Sequence, residues 1–199
     1  MPPTMTTSLR TAPDGDIEII DQLLLPHTTA WVPVRTIADA HGAIKRMQIR
    51  GAPAIASLAA LSLARELELA LAAQDAPAYL ASVDSLRAHV GPTLDYLNTA
   101  RPTAVNLGQA MRRLRTVLKS DGSSNARELA ESLIATARLV AAEDVGRNRE
   151  MARHGAEWVL DRIAQREGQR RKLNVLTVCN TGSLATSVSS PTGDHLGSV

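Results

Sequence analysis

Three features of this sequence predict a mainly α chain: a helical domain with a small β cap, followed by the first strand of a second, incomplete domain. Alanine and leucine supply 31 and 25 of the 199 residues and phenylalanine is absent, so the core should be aliphatic, close-packed and helix-favouring. From Thr36 onward, apolar residues recur every three or four positions, the period of an amphipathic helix. After the helical pattern, residues 173–178 (LNVLTV) change to the β-branched character of a buried strand.

Each element follows in turn. Residues 1–16 lack an apolar stretch and read as a disordered leader; with Arg10 the only charge among the first 13 residues, they make neither a secretory signal nor a transit peptide. Residues 17–25 are β-branched and Leu-rich and stop at Pro26, and residues 31–34 are a second extended candidate that Pro33 limits to an edge. Together they suggest a hairpin-like cap. Ile37, Ala40, Ile44 and Met47 then mark a first helix ending near Gln48, and Thr36-x-x-Asp39 has the form of a capping box at its start.

Arg50-Gly51-Ala52-Pro53 breaks the chain, and Pro53 suits the first turn of a second helix because its missing N–H would have had no partner there. The Ala/Leu run to about residue 73 is apolar on nearly all sides and predicts a buried helix. Leu80, Val83, Leu86 and Val90 mark a third. Arg101-Pro102-Thr103 restarts the chain as a proline-initiated fourth helix carrying Leu107, Met111, Leu114 and Leu118, closed by the turn Asp121-Gly122-Ser123-Ser124. Asn125-x-x-Glu128 opens a long fifth helix to about residue 149, with a separate short helical stretch at 156–163.

The helical domain therefore covers 17–168, the second domain starts at 169–186, and 187–199 form a tail without a period. A buried strand at 173–178 needs neighbours on both edges, and no later strand follows it here.

Charge and composition exclude several function classes. Lys plus Arg is 22 against 20 for Asp plus Glu, a net +2, which is no footprint for nucleic acid. The cluster Arg166, Arg170, Arg171 and Lys172 reads as a solvated linker or an anion-attracting rim. The longest uncharged apolar stretch, residues 51–64, falls short of the ~20 residues that span a bilayer. A lone cysteine, Cys179, cannot close an internal disulfide, which fits a reducing compartment: cytoplasm, with the nucleus open to so small a chain. The histidines His27, His41, His89, His154 and His195 show no metal-ligand spacing and read as surface or capping residues, so no metal is expected.

Three segments can carry chemistry. In Arg50-Gly51-Ala52-Pro53 a guanidinium precedes a glycine and a helix start whose N–H groups point outward, an anion cradle in one reading and a helix–helix turn with a solvated arginine in the other. Arg101-Pro102-Thr103-Ala104 repeats the arrangement with Asn106 on the first turn, and two arginines suit a phosphate. In Val178-Cys179-Asn180-Thr181-Gly182-Ser183 a thiol stands at the carboxyl end of a strand, where α/β folds place ligands. It reads equally as a small buried hydrophobe. An unperturbed thiol is almost wholly protonated at neutral pH and starts as an acid.

Four motifs in order, IIDQLLLP (19–26), RGAPAIA (50–56), RPTAVNL (101–107) and CNTGSLAT (179–186), make residues 17–186 similar to the methylthioribose-1-phosphate isomerases, in the superfamily of the alpha, beta and delta regulatory subunits of initiation factor 2B. The resemblance implies a methionine-salvage enzyme that converts 5-methylthioribose 1-phosphate to 5-methylthioribulose 1-phosphate without metal or organic cofactor. It implies substrate contacts at Arg50, Gly51, Ala52 and Arg101, a catalytic role for Cys179, and homodimers for full-length members.

In that family CNTGSLAT leads into a Rossmann-like half that holds a catalytic aspartate. Asp194 lies in the non-matching tail and does not take that role, so the chain is expected to be a truncated form, inactive alone. The rival expectations are a non-catalytic regulatory subunit of the initiation factor 2B type, a ribose-1,5-bisphosphate isomerase, or an unstable fragment without a role of its own.

Overall fold

In the computed structural model, which describes residues 7–13, 15–120, 122–164 and 182–185, a three-stranded antiparallel sheet caps a bundle of five α-helices. The mainly α fold with a small β cap is as expected. The strand at 173–178, Cys179, the basic cluster at 166–172, His195, Asp194 and the tail at 187–199 lie outside the described residues.

The sheet runs β1 (Leu9–Thr11), β2 (Ile17–Ile20), β3 (Trp31–Val34), with Leu9 opposite Ile19 and Ile19 opposite Val32. β1 corrects the expectation of a disordered leader over 1–16. Leu9 and Ser8 are buried, and Arg10 both stacks over the Trp31 ring at 3.8 Å and pairs with Glu18 at 2.7 Å. The leader was too short and polar to show a period, and its anchors lie on other strands. The expected strand 17–25 ends at Ile20 instead, because the Asp21 carboxylate accepts from the Leu23 amide and turns the chain, leaving Leu23 and Leu24 exposed.

α1 (Ile37–Lys45) starts in the expected capping box: the Thr36 hydroxyl accepts from the Asp39 amide and the Asp39 carboxylate accepts from the Thr36 amide, both at 3.0 Å. It closes in a Schellman turn, with the Gln48 amide donating to Ala43, the Met47 amide donating to Ile44, and Met47 at φ 62° where glycine is usual. His41 overturns its surface assignment. It is buried, stacked on Tyr96 at 4.1 Å and bonded through Nε2 to the Thr99 hydroxyl at 3.0 Å, and burial holds its pKa below the ordinary value. The apolar period of α1 had no means of showing that a ring on α3 would cover it.

α2 (Ala52–Ala72) is the central element, packed against α1, α4 and α5. Its consecutive residues Ala54, Ile55, Ala56, Ser57 and Leu58 are all buried, so no face is left for solvent at that level. Small alanines let neighbouring helices approach closely all round. A 3₁₀ turn (Ala78–Leu80) leads to α3 (Val83–Thr99), whose Ser82 cap accepts from the Ser85 amide.

α4 (Val105–Ser120) buries Leu107, Ala110, Met111, Leu114 and Leu118 along one stripe. It begins later than expected. Residues 101–104 form a turn closed by the Ala104 amide donating to Arg101, so Pro102 sits in the turn and not in the helix.

α5 (Ala126–Ala164) opens with the Asn125 side chain accepting from the Glu128 amide at 3.0 Å. It is one 39-residue helix, not the two pieces expected. Across the supposed gap, Arg153 pairs with Glu150 at 2.8 Å and with Glu157 at 3.0 Å, and no proline interrupts. Its first half is buried at Leu129, Ala130, Leu133 and Ala137, while Met151 and Trp158 are exposed. Among the described residues, no helix is long and apolar enough to cross a membrane.

Candidate functional site

The site grows from the start of α2. α1, α3 and α5 begin on a side chain that caps them, whereas α2 begins at Gly51 with no side-chain cap. Its acceptor comes from the far end of the chain: the Ala54 amide donates to the Ala185 carbonyl at 3.1 Å. Gly51 lies at φ 97°, a conformation that favours glycine, and a Cβ built there would stand 2.4 Å from the Ala185 Cα. The contact is therefore possible only for glycine.

The segment 182–185 is a turn, closed by the Ala185 amide donating to Gly182, with Ala185 buried. A second anchor holds it, the Gln22 side-chain amide donating to the Leu184 carbonyl at 2.9 Å. Gln22 is in turn fixed by its own amide, which donates to Gln48, and Gln48 reaches the Asp21 carboxylate through Nε2 at 2.8 Å. Residues of IIDQLLLP, RGAPAIA and CNTGSLAT thus meet at one point.

Arg50 is half-buried, and its Nε donates to the Met47 carbonyl at 3.1 Å, which ties the guanidinium to the unusual turn that closes α1. Pro53 has no N–H and the Ala54 amide is taken, so the donors a cradle would use are those of Gly51 and Ala52. Ala52 is exposed in the first turn. Arg101 is half-buried at the head of the turn before α4. Cys179 lies outside the described residues, three positions before Gly182.

The third motif joins through a cleft of ≈ 320 Å³ between α2, α4 and α5, lined by Pro53 and Asn106 together with polar residues of α5. Sequence reasoning missed this part. Arg113 holds Glu143 with two bonds, at 2.7 and 2.9 Å, and Arg147 reaches the same carboxylate at 3.3 Å. Asp144 beside it is only 5% exposed. A charged stretch inside a long helix reads as a solvated face, and only the approach of α2 and α4 buries Asp144 within it. Gln22 carried a signal, since it stands in IIDQLLLP, but nothing in its spacing names a partner 162 positions away.

The Arg113 hydrogen bond holds the Glu143 carboxyl below its ordinary value of 4.5. A carboxylate depressed in the fold contributes stability above its unfolded pKa, and loses it as pH falls through the folded one. Glu143→Gln should therefore lower the melting temperature at pH about 7, and the gap to the wild type should close as pH falls through the depressed folded pKa. Melting curves for the two proteins that stay parallel across the acid range would contradict this.

The sequence pattern of the Initiation factor 2 subunit family matches residues 48–192. A methylthioribose-1-phosphate isomerase of Postia placenta is 55% identical over 183 residues, 91% of this chain and 47% of that protein. One of Laccaria bicolor is also 55% identical, over 90% of this chain and 48% of its own length. The crystal structure of 5-methylthioribose 1-phosphate isomerase from Pyrococcus horikoshii matches with a TM-score of 0.73 at 27% identity, over 92% of this chain and 46% of that one. Translation initiation factor eIF-2B subunit delta from A. fulgidus matches with a TM-score of 0.59 at 32% identity, over 76% and 41%. The chain spans about half the length of the curated relatives it matches.

Proposed function

The chain belongs to the Initiation factor 2 subunit family, and from that premise we propose that it carries the phosphate-gripping part of an isomerase site that turns 5-methylthioribose 1-phosphate into 5-methylthioribulose 1-phosphate. The relatives of that name support the reaction. The observation that carries the assignment is the docking of 182–185 on Gly51, which ties the segment after Cys179 to the start of α2 beside Arg50.

The chemistry divides naturally between these groups. Phosphate at C1 keeps the sugar ring closed, so the site must hold an anion, open the ring and move hydrogen between C1 and C2. Arg50 and Arg101 supply charge, the Gly51 and Ala52 amides supply fixed donors at a positive helix end, and Cys179 supplies a titratable group.

Calorimetric titration of the 199-residue chain with 5-methylthioribose 1-phosphate, and with 5-methylthioribose as the phosphate-free control, tests the reading. Binding should require the phosphate. Arg50→Ala should weaken it about tenfold or more, the loss of a charged hydrogen bond of ~1.5–3 kcal/mol. Equal affinity for the two sugars, or for the wild type and the variant, would discard the proposal.

A further inference from the structure

The cleft between α2, α4 and α5 adjoins the loop site through Pro53. Its charges cancel, because Arg113 and Arg147 are both engaged by Glu143 and the fourth charge, Asp144, is buried in the same wall. A phosphate entering here would compete with Glu143 for both guanidinia and would meet a second carboxylate. The cleft therefore disfavours anions.

What the lining suits is the uncharged hydroxyl. A carboxylate has about four lone-pair sites, so Asp144 can accept from a ligand alongside its own partners. One turn further along α5, in the continuation of the cleft, the Asn148 Nδ2 is buried and has no hydrogen-bond partner among the described residues. Residues at i and i+4 are neighbours on a helix surface, and a hydroxyl both donates and accepts, so one hydroxyl can serve both groups. Asn106 from α4 and Ser57 from α2 add amide and hydroxyl groups on the facing walls.

We propose that this cleft is a subsite for the hydroxyl-bearing carbon chain of a sugar, with Asp144 as acceptor and Asn148 as donor, adjoining the loop that takes the phosphate. The identity of the whole ligand rests on the sugar-phosphate reading above. The hydroxyl chemistry comes from the cleft alone.

The two are separable with two probes, ribitol and inorganic phosphate, titrated into the isotope-labelled 199-residue chain while amide resonances are followed. Ribitol should shift the side-chain amides of Asn106 and Asn148 saturably, and Asp144→Asn should weaken that response at least tenfold with the rest of the spectrum in place. If that variant does not fold, Asn106→Ala, at a half-buried position, should give the same loss. Ribitol leaving both side chains unmoved, binding undiminished in the variant, or phosphate shifting Asn148 would each overturn the subsite. Phosphate failing to move Gly51 and Ala52 while the ribitol response persists would sink the proposed function and leave the subsite standing.

Discussion

Leu63→Ala is expected to lower the melting temperature on the order of 10 °C, while Leu69→Ala six positions along the same helix changes it little. Leu63 is fully buried and Leu69 is 48% exposed. Removing a buried leucine costs about 2–5 kcal/mol, and the upper part of that range applies where the surroundings cannot collapse into the space. Here the neighbours one turn back are Ala59 and Ala60, both fully buried, and alanine has no rotamer with which to fill a void. For a chain of this size each kcal/mol is worth roughly 2–4 °C. The exposed site carries no such term, and surface changes usually stay within about 0.5 kcal/mol. Equal melting temperatures for the two variants would mean that α2 does not organise the bundle.

The helices were legible because each rests on local chemistry. Thr36, Ser82 and Asn125 cap within four residues of the helices they start, and the apolar stripe of α4 repeats within the helix itself. What depended on partners distant in sequence was not legible. β1 is held by Trp31 and Glu18, and His41 is covered by Tyr96, and neither contact leaves a mark in the local period. α5 runs on past residue 149 and through Gly155, with the Arg153–Glu157 pair spanning the glycine, a continuity that the apolar period alone does not carry.

The candidate site divides the same way. Arg50, Gly51 and Arg101 could be singled out from residue types that suit an anion. That α4 starts four residues after Arg101 could not, since Pro102 suits a turn as well as a first helical position. Asp144 was invisible because burial on a long charged helix is decided by what packs against it. The sequence therefore reveals groups that announce their chemistry by type and conceals those whose chemistry is conferred by enclosure.

Gly51→Ala separates the bundle from the site that stands on it. The added Cβ would meet the Ala185 Cα at 2.4 Å, its carbonyl oxygen at 2.5 Å and its Cβ at 2.6 Å, and the φ of 97° is strained for any residue with a side chain. The overlap is with backbone, so rotating a side chain cannot relieve it. The helix start is anchored by the buried Ala54, Ile55 and Leu58, whereas 182–185 is held by the Ala54 and Gln22 hydrogen bonds and the burial of Ala185. The weaker partner yields, and the segment leaves α2. Strain of about 1–3 kcal/mol then appears as a roughly five- to 150-fold loss of protection at the Ala54 amide in hydrogen exchange. Protection of α3 and of the first half of α5 should be unchanged, and helicity by circular dichroism the same. Binding of 5-methylthioribose 1-phosphate should weaken together with the Ala54 protection, because the Gly51 and Ala52 donors share that backbone. If Gly51→Ala retains full protection at Ala54, the close approach of Ala185 does not govern the start of α2; if protection falls while phosphate-dependent binding persists, the cradle works without its latch.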